Sequence, residues 1–285
     1  MPDQADKLRQ LIGDSSLSPS SSPRNLNNVL SFASGKGGVG KSSIAVNLAL
    51  ALHSRHFHTL IFDADLGMAN VNLFLGDLPS HSVFDLLHGS NPLDIINHSE
   101  LGVDFISASS SLGSPVSLDD SQRSSLLSSL SPLLRSYDYI IIDNGAGINP
   151  FILDCSTAAS LSFIVTTPDP PAISDAFSII KSLAPLSPNL ALIVNRADDA
   201  ADASHTFKDL SSASEIISNF HLQDAGYIFE DSIVRKAARY QVPFFLSDPN
   251  CPASKCVRSL AEFVISGNLS PVNLGFLHFF KSLFK

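Results

Sequence analysis

Residues 31 to 43 read SFASGKGGVGKSS, and within them Gly35 to Ser42 fits G-x-x-x-x-G-K-[ST] between the apolar run VLSFA and the helix-like SIAVNLALAL. That spacing builds a phosphate cradle. Gly35, Gly37, Gly38 and Gly40 let backbone N–H groups curl round anionic oxygens, and the following helix points its positive dipole end at the same charge. In this motif Lys41 reaches the β- and γ-phosphates of a nucleotide and the Ser42 hydroxyl ligates Mg2+; Val39 and Ser43 complete the contact set. Lys36, a second lysine in the loop, has no role in the motif itself. Two carboxylate stations follow. YIIID (Tyr139 to Asp143) is an apolar strand ending in an acid, the form that holds Mg2+ beside a phosphate loop. LIFDADLG carries Asp63 and Asp65 at the end of an earlier strand, and only one of them need face the metal and the attacking water. A lone strand-end Asp reads as a helix cap or a solubilising loop residue. Three stations in this order read as one nucleotide site.

Such a site needs strands that end together. Apolar runs at Val29 to Ala33, Leu60 to Phe62, Val103 to Ile106, Tyr139 to Ile142, Leu161 to Val165, Leu190 to Val194 and Gly226 to Phe229 alternate with segments long enough for crossover helices. Those segments include Ser42 to Leu52, Ala172 to Leu183, Ser204 to Phe220 and Cys256 to Ile265. Near-continuous apolar strands alternating with helices predict an α/β fold: three layers around a central, mostly parallel sheet. The serine-rich span Ser107 to Ser136 keeps leucines at helical spacing and reads as loop plus helix.

The ends of the chain differ from this core. Asp3 to Ile12 has Ala5, Leu8, Leu11 and Ile12 at helical spacing and stops at Gly13, which predicts a short helix over 1–13. Residues 14–28, rich in Ser, Pro and Asn, read as a flexible linker, and the globular domain as 29–267. Residues 268–285 hold NLGFLHFFKSLFK after Pro271. At 100° per residue Phe276, Leu277, Phe279, Phe280, Leu283 and Phe284 share an arc of about 160°, with His278, Lys281, Ser282 and Lys285 opposite. That pattern suits a helix lying in a membrane interface, its lysines drawn to anionic headgroups.

The bulk numbers exclude several classes. A net charge of -9 argues against a nucleic-acid coat, so no nucleic-acid partner is expected. The three cysteines, Cys155, Cys251 and Cys256, form no C-x-x-C and read as free thiols in a reducing cytoplasm. No secretory leader and no spanning apolar run is visible, so the expected location is cytoplasmic, reversibly peripheral on the inner face of the membrane.

SGKGGVGKSS, with its early lysine, resembles the deviant phosphate loop of MinD/ParA-type ATPases, and the likeness continues through DADLGMANVNLFLG, YDYIIIDNGAGI, TPDPPAISDAFSIIK and LIVNR. It runs from about Val29 to Phe263 and implies the SIMIBI-class P-loop fold, ATP and Mg2+ as ligands, and an ATP-bound homodimer. Lys36 is then implied to cross to the partner subunit's nucleotide. The same resemblance places Asp65 on the hydrolytic water, with Ser42 and Asp143 on the metal side, and Asn195 at the adenine edge. Within the family the chain is similar to flagellar number and placement regulators of FlhG (FleN) type, because DQADKLRQL matches their N-terminal element. Asp3, Gln4, Ala5, Leu8 and Arg9 are thereby implied to act on an FlhF-like GTPase. Asn144, Asn72 and Pro171 depart from the pattern, which usually has Thr, Asp and Thr there, so that a hydroxyl beside the metal-side acid becomes an amide. The resemblance implies a slow, dimerisation- and membrane-stimulated ATPase controlling flagellum assembly. A MinD-like division-site ATPase and a non-hydrolysing nucleotide-dependent adaptor are the alternatives. The iron–sulfur carrier branch needs the missing C-x-x-C, and the acidic charge and phenylalanine tail argue against a DNA-partitioning role.

Overall fold

A computed structural model describes residues 28–65, 70–108, 135–187 and 189–267. The expected N-terminal helix with Asp3, Gln4, Ala5, Leu8 and Arg9 lies outside the described residues. So do nearly all of the linker, most of the serine-rich span, and the amphipathic tail with Phe276, Leu277, Phe279, Phe280, Leu283 and Phe284.

All seven expected strands form, most of them longer than their apolar runs. They are β1 (Asn28–Ser34), β2 (Thr59–Ala64), β4 (Asp104–Ser107), β5 (Tyr139–Ala146), β6 (Leu161–Thr166), β7 (Leu190–Ala197) and β8 (Gln223–Phe229), and they are joined by the two-residue β3 (Asn97–His98). The sheet order is β3-β4-β2-β5-β1-β6-β7-β8. Every pairing is parallel except β3 with β4. Two residues are too few to leave a pattern in a sequence, which is why β3 was not foreseen.

The α-helices are α1 (Lys41–His53), α2 (Val71–Leu75), α3 (Pro150–Ala158), α4 (Pro170–Leu183), α5 (Ala200–Ser218), α6 (Ser232–Arg239), α7 (Phe244–Ser247) and α8 (Pro252–Ser266). α1 and α8 cover one face of the sheet, and α3, α4 and α5 cover the other. Because α1 lies between the sheet and α8, it is buried from Ile44 to Leu52 and apolar almost all round. Its one buried amide, Asn47, donates to the Ser43 carbonyl at 2.7 Å and accepts from Phe245 N–H at 2.8 Å, tying α1 to α7. No described helix is long and apolar enough to cross a membrane.

Strand alternation decides where the site's side chains go. Along β5, Tyr139 and Ile141 enter the core under α1, while Ile140 and Ile142 enter the core under α3. Asp143 continues the first series and Asn144 the second.

Candidate functional site

The phosphate loop follows β1 and turns at Gly38 (φ 79°) and Gly40 (φ 91°), left-handed conformations that favour glycine. Gly40 also allows close approach, since a Cβ there would stand 2.3 Å from Asn195 Nδ2. Gly35 is required by space alone: a Cβ would stand 2.3 Å from the Asp175 carbonyl oxygen on α4. Gly37 is corrected. It is exposed, its φ is not left-handed, and a Cβ would meet only that of Ala146 at an ordinary 3.8 Å. The fold of the loop therefore does not demand glycine at 37, and what Gly37 can offer a phosphate is its open backbone N–H. Three side chains hold the loop's backbone. Asn195 at the end of β7 donates to the Val39 carbonyl at 2.7 Å, Arg196 donates to the Gly38 carbonyl at 3.0 Å, and Ser34 Oγ donates to the Lys36 carbonyl at 3.0 Å. The Val39 side chain is buried in the core, which anchors the loop to the body of the domain.

Lys41 opens α1 and is buried, with Nζ 2.6 Å from Asp143 Oδ1. Asp143 Oδ2 is buried too and has no hydrogen-bond partner among the described residues. Ser42 and Ser43 are half-buried on the first turn beside it. An orphaned carboxylate oxygen near a hydroxyl makes an all-oxygen donor set, which fits a largely hydrated Mg2+. The residues present therefore suit the ion that the motif implies.

The two acids of β2 divide their work. Asp63 pairs in register with Asp143 across β2 and β5 and is buried. Its Oδ2 accepts from the N–H groups of Asn70 (2.9 Å) and Val71 (3.0 Å), and its Oδ1 from that of Asp65 (3.3 Å). Asp63 thus staples both ends of the 65–71 segment. Burial, and then the charge of Asp143, raise its pKa to about 7 against the pull of those three N–H groups. Asp65 is only half-buried and reaches across to the end of β5, where a Cβ on Gly145 would lie 3.6 Å from its carboxyl.

The fold thus brings Lys41, Asp143, Asp63, Asp65 and the loop together, and carries Asn195 to them from β7. Lys36 is exposed on the loop. Asn144 follows the metal-side acid in sequence, but alternation turns its side chain to the opposite face of β5, where it bonds β1. Arg196, Ser34 and the stapling role of Asp63 were missed. VNR and the serine before the loop were visible, but only their approach to the loop backbone gives them a job.

A family model described as ParA, NUBPL iron-transfer P-loop NTPase, matches residues 25–265. The chain is 31% identical, over 88% of its length and 91% of the relative's, to the antiactivator FleN of Pseudomonas aeruginosa. It is also 31% identical to the flagellum site-determining protein YlxH of Helicobacter pylori, over 90% of its length and 89% of the relative's. The solved structure of the septum site-determining protein MinD from Pyrococcus horikoshii, complexed with Mg-ADP, matches with a TM-score of 0.68 and 23% identity over 86% of this chain and 99% of that one. With the phosphate loop, its paired lysine and acid, and the sheet order already in place, these likenesses give the identification: the chain belongs to the ParA/MinD family of P-loop NTPases.

Proposed function

We propose that this chain is an ATP-dependent switch that dimerises, associates with an anionic membrane surface and regulates the number and placement of flagella through a partner GTPase. Likeness to FleN and YlxH over about nine-tenths of the chain supports the flagellar assignment. The N-terminal DQADKLR element supports a GTPase partner of FlhF type.

The observation that carries the mechanism is the division between two lysines. Lys41 is enclosed against Asp143, within reach of this subunit's own phosphates, whereas Lys36 stands exposed on the same loop. An exposed cation on a phosphate loop is useful to a nucleotide held by a second copy. In this reading the N–H groups of residues 35–43 cradle the phosphates, and Lys41 leaves Asp143 to bind them. Ser42 and Asp143 hold Mg2+, which when bound neutralises phosphate charge. Asp65 orients the attacking water, and Asn195, next to the loop, faces the base. Two C-terminal helices held in one dimer combine their membrane affinities through effective concentration, so that nucleotide-driven pairing becomes membrane recruitment.

ATP turnover measured with and without anionic vesicles tests the enzyme reading, and a blank rate in both favours the adaptor instead. Asp65→Ala should retain ATP and accumulate a dimer on size exclusion, while Lys36→Gln should bind ATP and stay monomeric. Truncation after Ser270 should abolish co-sedimentation with anionic vesicles. A peptide of residues 1–13 should accelerate GTP hydrolysis by the partner, and no acceleration would remove the GTPase half of the proposal.

A further inference from the structure

We propose that Asn144 is a positioning residue whose amide clamps the strand of the metal-side acid to the strand that feeds the phosphate loop, thereby fixing where Asp143 stands relative to Lys41 and Ser42. Asn144 is fully buried. Its Nδ2 donates twice into β1, to Ser31 Oγ and to the Phe32 carbonyl, both at 2.8 Å.

These bonds fall where the backbone ladder fails. β1 and β5 run in regular register as far as Phe32 opposite Asp143, and then shift before Ser34 meets Ala146. Ala33 therefore faces two residues, Asn144 and Gly145. A bulge of this kind loosens the local pairing. It lies between Asp143 and the loop that Lys41 closes, the two groups whose spacing the site depends on. The side-chain amide spans that break from the far face of the sheet, out of reach of any ligand on the Lys41 side.

The amide's orientation is fixed by chemistry. Only its NH2 can bond the Phe32 carbonyl, so Oδ1 must point elsewhere, and it is buried without a partner among the described residues. A buried orphan acceptor is unfavourable, and its survival here is consistent with the value of the two bonds made by the nitrogen. The clamp also extends beyond the two strands. Ser31 Oγ lies 3.4 Å from Ser156 Oγ on α3, and Ser162 Oγ on β6 donates to the Ser156 carbonyl at 2.7 Å. α3 begins at Pro150, directly after the short 147–149 connection that leads away from the end of β5. One polar cluster on the far face thus braces β1, β5, β6 and α3 behind the site.

The inference rests on the reading that Asp143 lies on the Mg2+ side. It is tested with the full-length protein and a fluorescent ATP analogue, titrating Mg2+ at fixed nucleotide and repeating the binding in EDTA. Asn144→Val removes both donors. It should raise the Mg2+ concentration for half-saturation about fivefold to tenfold, the effect of one net hydrogen bond, while affinity in EDTA stays within about twofold. Asn144→Thr has nearly the shape of valine but restores an O–H for the Phe32 carbonyl, and should return the midpoint most of the way to wild type. Equal midpoints for Thr and Val overturn the clamp, as does an equal loss of affinity for the Val variant with and without Mg2+, which would mark general collapse of the loop. If Val does not fold, Asn144→Ser against Asn144→Ala makes the same comparison. A wild-type affinity indifferent to Mg2+ overturns the underlying metal reading and the clamp with it, and is recognisable because it needs no variant.

Discussion

Lys41→Met should destabilise the protein in the absence of any nucleotide. Lys41 is 7% and Asp143 1% exposed, with Nζ and Oδ1 2.6 Å apart. Asp63, 1% exposed, stands opposite Asp143 in the neighbouring strand. Methionine fills the lysine's volume but leaves the Asp143 carboxylate buried without its cation. Breaking a buried pair from one side costs about 3–5 kcal/mol, because the surviving charge stays desolvated. Domains have only about 5–15 kcal/mol in total. For a domain of this size the loss corresponds to a fall in Tm of roughly 6–20 °C. Asp143→Asn should cost less, since it also relieves the repulsion on Asp63, and the double variant should recover about 2–3 kcal/mol relative to the sum of the singles. Urea unfolding in EDTA without nucleotide, on wild type, both singles and the double, measures the coupling. Additivity to within about 0.5 kcal/mol would refute a structural role for this pair. The same cycle with saturating Mg-ATP should show a smaller coupling, since Lys41 then serves the phosphates.

Three further outcomes follow from the geometry. Asp63 has its pKa raised from 3.8 to about 7, so between those values the native state holds a proton that the unfolded chain has released. Stability in EDTA should therefore fall as pH rises from 5 to 7 and level off above, and Asp63→Asn should flatten that slope in thermal melts; an unchanged slope would refute the assignment. Gly40→Ala combines a φ of 91° with a Cβ 2.3 Å from Asn195 Nδ2. It should lower nucleotide affinity at least tenfold, about 1.4 kcal/mol, in fluorescence titration, by pushing Asn195 off the Val39 carbonyl. Gly102→Ala, at φ 81°, puts a Cβ 2.3 Å from Nε2 of His53 at the far end of α1. It should cost about 1–3 kcal/mol of stability and leave nucleotide affinity unchanged.

Those predictions draw unevenly on what the sequence discloses. The strands and the loop were legible because each is encoded locally: buried parallel strands are apolar runs, and the cradle is a fixed spacing of glycines before a helix. The starts of α4, α5 and α8 lie two, four and four residues before the expected bounds, whereas their ends fall within two residues of them. Their starts are set by Pro170, Asp199 and Pro252, capping and first-turn residues that stand outside the apolar periodicity. What could not be read was long-range. Asn195 meets Val39 across 156 residues and Arg196 meets Gly38 across 158, and nothing local in VNR marks it as a brace for the loop. The four loop glycines look equivalent in the motif, yet Gly35 answers to α4, Gly40 to β7, and Gly37 to neither. Asp63 and Asp65 look interchangeable in DAD, and they separate only when alternation buries one of them against Asp143 and leaves the other reaching for Gly145.

The three departures from the family pattern bear on the alternative of a non-hydrolysing adaptor, and their positions weaken it. Pro171 is exposed in the first turn of α4, where a helix needs no N–H from it. Asn72 lies in α2, the turn whose leading N–H groups are held by Asp63, and its buried Oδ1 has no partner among the described residues. Asn144 acts from behind the sheet. Asn144 faces away from Lys41 and Asp143, whereas α2, which carries Asn72, packs with α1 in the core on their side of the sheet. What they can alter is coupling: how rigidly Asp143 is held against the loop, and how firmly Asp63 holds the N–H groups of Asn70 and Val71. Hydrolysis rate and its response to pairing are then the properties to expect shifted. A chain bearing Asn144→Thr and Asn72→Asp should bind Mg-ATP with wild-type affinity and differ in turnover measured with anionic vesicles. A change in affinity instead would make one of these residues a ligand contact after all.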